Sequence, residues 1–342
     1  MSEWMRYRDS VARSGTSAVF VALCAGALSG PASAGGKYVP FDIQNAVQTA
    51  GGGITESGYV GGWYMDAGNR NHGLLRAPDG TITIFDVTGA PDTYGTGING
   101  KLVITGEYAD SSFHEHGYLR TADGTITTFD VPSSEATAPV AINDGGTITG
   151  TYFGPTTWHG FVHSRKGAFT SFDPPGSNST QVEDINKAGG IVGYGWQGSS
   201  ASEGFVRASN GTLATFNVTG AQRTEPYGIN DGGVITGFYT DSQGVFHGFA
   251  RDASGTITSF DPTGSTGTSP EKINAKGEIV GGFLDVSGAY HGFTRSPGGT
   301  IKVFDPKGST YTLAIAINSH GAITGSYGTD VNYTLEHGLL TK

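Results

Sequence analysis

Cysteine is almost missing from this chain: Cys24 is the only one in 342 residues. A single thiol makes no disulfide framework, and its place near the N-terminus leaves the rest of the chain without a thiol nucleophile. Basic residues are scarce as well, 20 Lys and Arg against 30 Asp and Glu, for a formal net charge of -10. That balance excludes nucleic acid as a partner, because neutralising phosphate dominates such binding. No apolar run reaches the roughly 20 residues that a helical membrane span needs, so no span is expected. Beyond residue 34 no apolar pattern with a 3.6-residue period appears, and almost no helix is expected. Glycine has no three-residue period, which excludes a collagen helix.

Glycine itself is abundant: 57 residues, one in six against about 7% in ordinary proteins. Aromatic residues make up 11% and apolar residues 36%, enough to bury a core and to exclude wholesale disorder. This composition describes many short strands joined by glycine turns.

Residues 1–34 differ from the remainder. Arg6, Arg8 and Arg13 precede an apolar stretch from Ser17 to Leu28, followed by Pro31-Ala32-Ser33-Ala34. A basic start, a short apolar run and a small-residue A-x-A site predict a secretory signal cleaved after Ala34. Leu23 precedes Cys24 where a lipoprotein would need a small residue. The expected location is therefore secreted or periplasmic.

Removing 34 residues leaves 308, or seven times 44. Phe-Asp recurs at Phe41, Phe85, Phe129, Phe172, Phe260 and Phe304, with Phe216-Asn217 as the variant member. His-Gly recurs at His72, His116, His159, His247, His291 and His337, with Glu203-Gly204 as its variant. Ile-Asn recurs from Ile98 to Ile317, and Ile54-Thr55 stands in the first repeat. A period near 44 belongs to propeller blades rather than helical solenoids. Within one repeat, Tyr227-Gly-Ile-Asn, Val234 to Tyr239, His247 to Arg251 and Thr256 to Asp261 read as four short strands bounded by turns. The fold class expected is all-β, a seven-bladed β-propeller of four-stranded blades over residues 35–342 as one domain. The last repeat ends after its third strand, and Lys37 to Asp42 is a spare one. Pairing residues 38–42 with 337–341 would close the ring and leave no open edge inside it.

The motifs H-G-F-x-R, D-G-T-I-T-x-F-D and I-N-D-x-G-x-I-T-G-x-Y resemble those of the HAF-repeat family of probable extracellular repeat proteins. The resemblance covers all of residues 35–342 and implies a secreted propeller, with no reaction and no catalytic residues to carry over. The blade order is also similar to that of virginiamycin B lyase-type propellers, whose Trp-Phe-Thr-Glu pattern is absent here.

Five of the six repeat His stand 14 residues before an Asp, as in His72–Asp86 and His247–Asp261, and the closing strand would bring Asp42 to His337. A hairpin about the intervening glycine turn would set the two side chains across adjacent strands. Where His becomes Glu203, the partner becomes Asn217, which can hydrogen-bond a carboxylate that an Asp would repel. Asp66, Asp110, Asp241 and Asp285 precede their His by six residues and would bridge from the other side. A motif present in every repeat is framework, so no metal and no cofactor are expected. Arg76, Arg120, Arg207, Arg251 and Arg295 are expected to be solvated or turn-bonded, and the Asn of each Ile-Asn is expected to form an Asx-turn.

Candidate site residues are those that break the repeat. Glu183, Asp184, Tyr227, Glu271 and Lys272 precede Ile-Asn, where other repeats carry small residues, and are expected on loops rimming a central depression. Trp158 and Trp196 are expected on the same face, offering rings to a ligand. The expected role is a monomeric binding module for a glycan, peptide or protein at the cell surface. An extracellular lyase, hydrolase or lactonase-like enzyme using Glu183, Asp184, Glu271 and Lys272 is the alternative, and a structural surface protein the third.

Overall fold

The computed structural model describes residues 38–198, 201–329 and 336–341. The predicted export signal lies outside the described residues. Among the described residues there are strands and turns and no helix. Strands follow one another in antiparallel groups of four, for example Arg223–Ile229, Ile235–Thr240, Phe246–Arg251 and Ile257–Phe260. Neighbouring groups meet where a third strand begins beside the next first strand, through the parallel pairs Ser202↔Arg223, Tyr290↔Tyr311 and Gln48↔Glu336.

The last group takes its fourth strand from the other end of the chain. Tyr38–Phe41 pairs antiparallel with Glu336–Thr341, from Tyr38↔Thr341 to Phe41↔Gly338.

The first strand of each group is longer than the sequence suggests. Arg223–Ile229 has seven residues, so Tyr227 is a strand residue and not part of a loop. Arg-Thr-Glu-Pro has no apolar alternation and reads as a loop. Pro is nonetheless tolerated there because it sits at a bulge, between Pro226 and Gly228, as Pro does on strands with a free edge. Pro139 and Pro270 stand at the same bulge in their own groups.

The core lies between groups. Leu74, Tyr118, Phe161, Phe205, Phe249, Phe293 and Leu339, two places after each repeat His or Glu203, are fully buried. Four of the repeat Phe rings, Phe85, Phe172, Phe216 and Phe260, pack edge-on against a ring of the next group, as Phe172 does on Phe205 at 5.8 Å and Phe260 on Phe293 at 6.1 Å. This explains the Gly after each His: a Cβ on Gly248 would come within 2.8 Å of the Phe260 ring.

The repeat arginines are not solvated: Arg76, Arg120, Arg207 and Arg295 are buried and turn-bonded, and Arg251 is half-buried. Arg295 lies over the Phe260 ring at 4.6 Å, Arg251 over Phe216 at 4.7 Å and Arg120 over Phe85 at 4.8 Å. The guanidinium thus stacks on the preceding group's Phe, a cation–π contact, while Arg76 also donates to the adjoining turn carbonyl of Ala77. Sequence reading missed this because the partner is a repeat away.

The His–Asp pairing is present throughout. His Nδ1 lies 2.9 Å from Asp86, 3.0 Å from Asp130, 2.8 Å from Asp173, 2.7 Å from Asp261, 2.7 Å from Asp305 and 3.1 Å from Asp42 in turn. Asn217 donates to Glu203 at 3.2 Å. On the other side of His247, Asp241 lies 3.4 Å away, and Thr268 of the next group donates to Asp261 at 2.6 Å. An aromatic ring of the second strand stacks on the His, as Tyr239 does on His247 at 5.1 Å. Gly195 stands in that place beside Glu203.

The Asn of each Ile-Asn braces its own turn. Asn99, Asn274 and Asn318 accept from the amide two residues on, as in an Asx-turn, and Asn143, Asn186 and Asn230 from the amide four residues on. Asn230 Oδ1 accepts from Val234 N, while its amide donates to the Asn274 carbonyl at 3.1 Å. The same link runs from Asn99 to Asn143, Asn143 to Asn186, Asn186 to Asn230, Asn274 to Asn318, and Asn318 to Thr55.

Candidate functional site

The sequence-predicted site residues divide into two groups at different levels of the sheets. Trp196 pairs with Ser179 at the start of its first strand, whereas Asp184 pairs with Val192 five residues further on. At about 3.3 Å per residue this is roughly 15 Å, so the expectation that all seven share one face is corrected. The cause is the strand length described above, which makes Glu183, Asp184, Tyr227, Glu271 and Lys272 inner-strand residues.

Those five do come together. The Lys272 ammonium donates to the carbonyls of Glu183 at 2.9 Å and Tyr227 at 2.8 Å, and lies 3.3 Å from Asp184 Oδ1. Asp184 Oδ2 accepts from Ile229 N at 3.0 Å. Lysine and aspartate are thereby committed to bracing three adjacent first strands, and neither is poised as base or nucleophile. Glu271 accepts from Ser269 Oγ at 3.0 Å, and burial pushes its carboxyl up to about 7 against the opposing pull of Ser269 and Lys272. It keeps some accessible surface while protein encloses most of its surroundings.

Glu225, which sequence reading passed over, belongs with them. It is 4% exposed, accepts from Ser202 Oγ at 2.8 Å, and is pushed by burial to about 7. Burial, and then the charges of Glu183, Glu225 and Glu271, hold the Tyr227 phenol well above its ordinary value. The Tyr227 ring packs between Tyr194 and Phe238 and is not a ligand platform. This cluster can hold protons near neutral pH. Among the described residues, no group of three His, Cys, Asp or Glu side chains is placed to hold a metal ion.

At the other level, Trp196 serves packing between groups, with the Arg223 guanidinium over its ring at 4.9 Å and Tyr194 against its edge at 5.8 Å. Trp158 is partly exposed and tilts against Phe153 at 5.3 Å. The loops between second and third strands at this end also carry Phe113, 50% exposed, and Val286, 82% exposed. Phe113 has φ of 62°, a left-handed conformation that Gly244 and Gly288 take in the corresponding loops. The signal was legible: Asp110-Ser-Ser-Phe113 stands beside Asp241-Ser-Gln-Gly244 and Asp285-Val-Ser-Gly288.

Several solved structures share this architecture. A streptogramin B lyase is 15% identical with a TM-score of 0.61, covering 90% of this chain and 98% of its own. Virginiamycin B lyase from Staphylococcus aureus is 16% identical at 0.61, covering 90% and 100%. The β-propeller domain of the Trilobed protease from Pyrococcus furiosus is 9% identical at 0.63, covering 87% and 94%. At these identities the likeness is one of fold, and the fold is a β-propeller. No family profile and no curated protein sequence matches the chain.

Proposed function

We propose that residues 35–342 form a single exported seven-bladed propeller that acts as a binding module for a glycan, peptide or protein. Seven blades are supported by the 44-residue repeat and the recurring groups of four strands. Ring closure is supported by Tyr38–Phe41 on Glu336–Thr341 and by the Asn318-to-Thr55 link. Export rests on the sequence of residues 1–34. The observation that carries binding is the placing of exposed apolar side chains. Of the three large hydrophobic residues exposed among the described residues, Phe113 and Val286 both lie in the loops at the Trp158 end. At the opposite end the turns spend their amides on one another through the Asn links.

The test is a screen of residues 35–342 against glycan arrays and surface-peptide libraries, followed by Trp158→Ala and Asp184→Ala. Loss of binding with Trp158→Ala alone places the site at the loop end. Retention by Trp158→Ala and loss by a folded Asp184→Ala moves it to the inner strands.

The raised Glu271 favours a second reading, an extracellular enzyme using it as an acid near neutral pH. Propeller neighbours include lyases and a puromycin hydrolase, yet Lys272 and Asp184 are tied into the scaffold. Turnover of a glycan or ester substrate that Glu271→Gln abolishes without loss of fold would establish it.

A further inference from the structure

Phe113 is at odds with local economy in two ways. A bulky side chain at positive φ is a backbone outlier, and Gly or Asn is the residue that suits the position. The equivalent residues are Asn69, Gly244 and Gly288. The ring is also half in solvent, so burial does not compensate for the conformation. The turn that presents it is held firmly: the Asp110 carboxylate accepts from Ser112 N at 2.7 Å and His114 N at 2.9 Å.

The neighbouring group departs from the repeat at the same end. The third strand Glu115–Arg120 follows Phe113 and lies beside the first strand Ala136–Ile142. Ala136 pairs with Phe153, and Phe153 with Trp158. The loop between Phe153 and Trp158 lacks the usual Asp, carrying Gly154, and exposes Pro155 and Thr156. Phe113, Phe153 and Trp158 therefore stand at one end of two adjacent sheets, with His114, Thr156 and Thr157 among them.

We propose that this end of the two sheets is a subsite for a neutral polysaccharide, with sugar rings stacking on Phe113 and Trp158. The proposal rests on the binding-module reading and specifies its ligand. Exposed apolar area decides against a protein. A stable interface buries about 800 Å² per partner around a continuous apolar core, whereas the large exposed hydrophobics here are single residues on separate sheets. A sugar needs one ring face at a time, flanked by hydroxyl, imidazole or amide groups. Charge decides against anionic glycans and anionic membranes, since the chain carries -10 with only 20 basic residues.

The experiment is retention of residues 35–342 on cellulose, chitin, xylan and starch, with heparin, alginate and anionic vesicles as charged counterparts. The expected result is retention on at least one neutral polysaccharide. Phe113→Gly should weaken it tenfold or more while the melting temperature stays level or rises, because Gly suits the left-handed turn. Trp158→Ala should weaken it comparably, and Ile84→Thr, on an outer strand, should leave it unchanged. Full retention by Phe113→Gly would overturn the proposal, as would absence of retention on every neutral polysaccharide. Phe113-dependent binding only to heparin, alginate or vesicles, or only in the peptide screen above, would overturn the ligand class and keep the binding-module reading. Binding to nothing here and to nothing in the glycan and peptide screen above would remove both.

Discussion

Glu225 offers a test of the structure that needs no ligand. Its carboxyl is buried with one donor, Ser202 Oγ, and burial raises it from 4.5 to about 7. At 1.36 kcal/mol for each pH unit, that rise corresponds to about 3 kcal/mol. The folded protein binds the proton more tightly than the unfolded chain does. Stability from this group is therefore complete below pH 4.5, is lost as pH rises towards 7, and is flat above. Glu225→Gln keeps an oxygen for Ser202 and removes the ionisation. Denaturant unfolding followed by tryptophan fluorescence at pH 5, 6, 7 and 8 should show the variant matching the parent at pH 5. At pH 8 the variant should exceed it by about 2–3 kcal/mol. Glu271 and the likewise raised Glu336 leave their own slopes in both proteins, so the difference curve is the readout. A difference that stays constant from pH 5 to 8, or a variant equally destabilised at both ends, would refute the buried-acid account.

Three further outcomes are expected. His247 is lowered by burial but raised more by Asp261 and Asp241, so its pairing contributes most below its unfolded value and fades as pH rises through the folded one. His247→Ala should cost about 1–2 kcal/mol, and more at pH 5.5 than at pH 8.5 in matched unfolding curves. Deleting residues 38–42 removes the outer strand paired with Glu336–Thr341; differential scanning calorimetry should record a melting temperature lower by more than 10 °C, since a bared edge and a lost Asp42–His337 contact act together. Thr55→Asn would add the amide that Asn residues use in the other Ile-Asn turns to reach the next group, here the Asn99 carbonyl, and should raise stability by about 1 kcal/mol, measured by urea midpoint.

The pairing of His with Asp, the substitution of Glu203 with Asn217, and the supply of an outer strand by residues 38–41 were all legible because each follows from spacing within a repeat. The stacking of Arg on Phe and the Asn-to-Asn links were not, since both join residues about one repeat apart and no local pattern announces them. The candidate site was misplaced for a single reason. Glycine and proline at Gly51, Gly95, Pro139, Pro226 and Pro270 make the first strand resemble a loop, so inner-strand residues were taken for rim residues. Phe113 was visible as a residue where its counterparts have Gly or Asn, but only the backbone angle reveals what that substitution costs.

The pairing of Tyr38–Phe41 with Glu336–Thr341 also sets a timetable. His337 meets Asp42 across 295 residues of chain, so this contact forms only after all the residues between them have been synthesised. The other His–Asp contacts span 14 residues or fewer and can form as their own hairpins emerge. Closing so long a segment is entropically slow and depresses the folding rate. A nascent chain can thus accumulate finished hairpins while its outermost edge stays open, and the last six strand residues act as the latch that ends folding. Truncation even a few residues before Glu336 would leave a product that keeps its local contacts and never latches, a form recognisable by persistent protease sensitivity near residue 40.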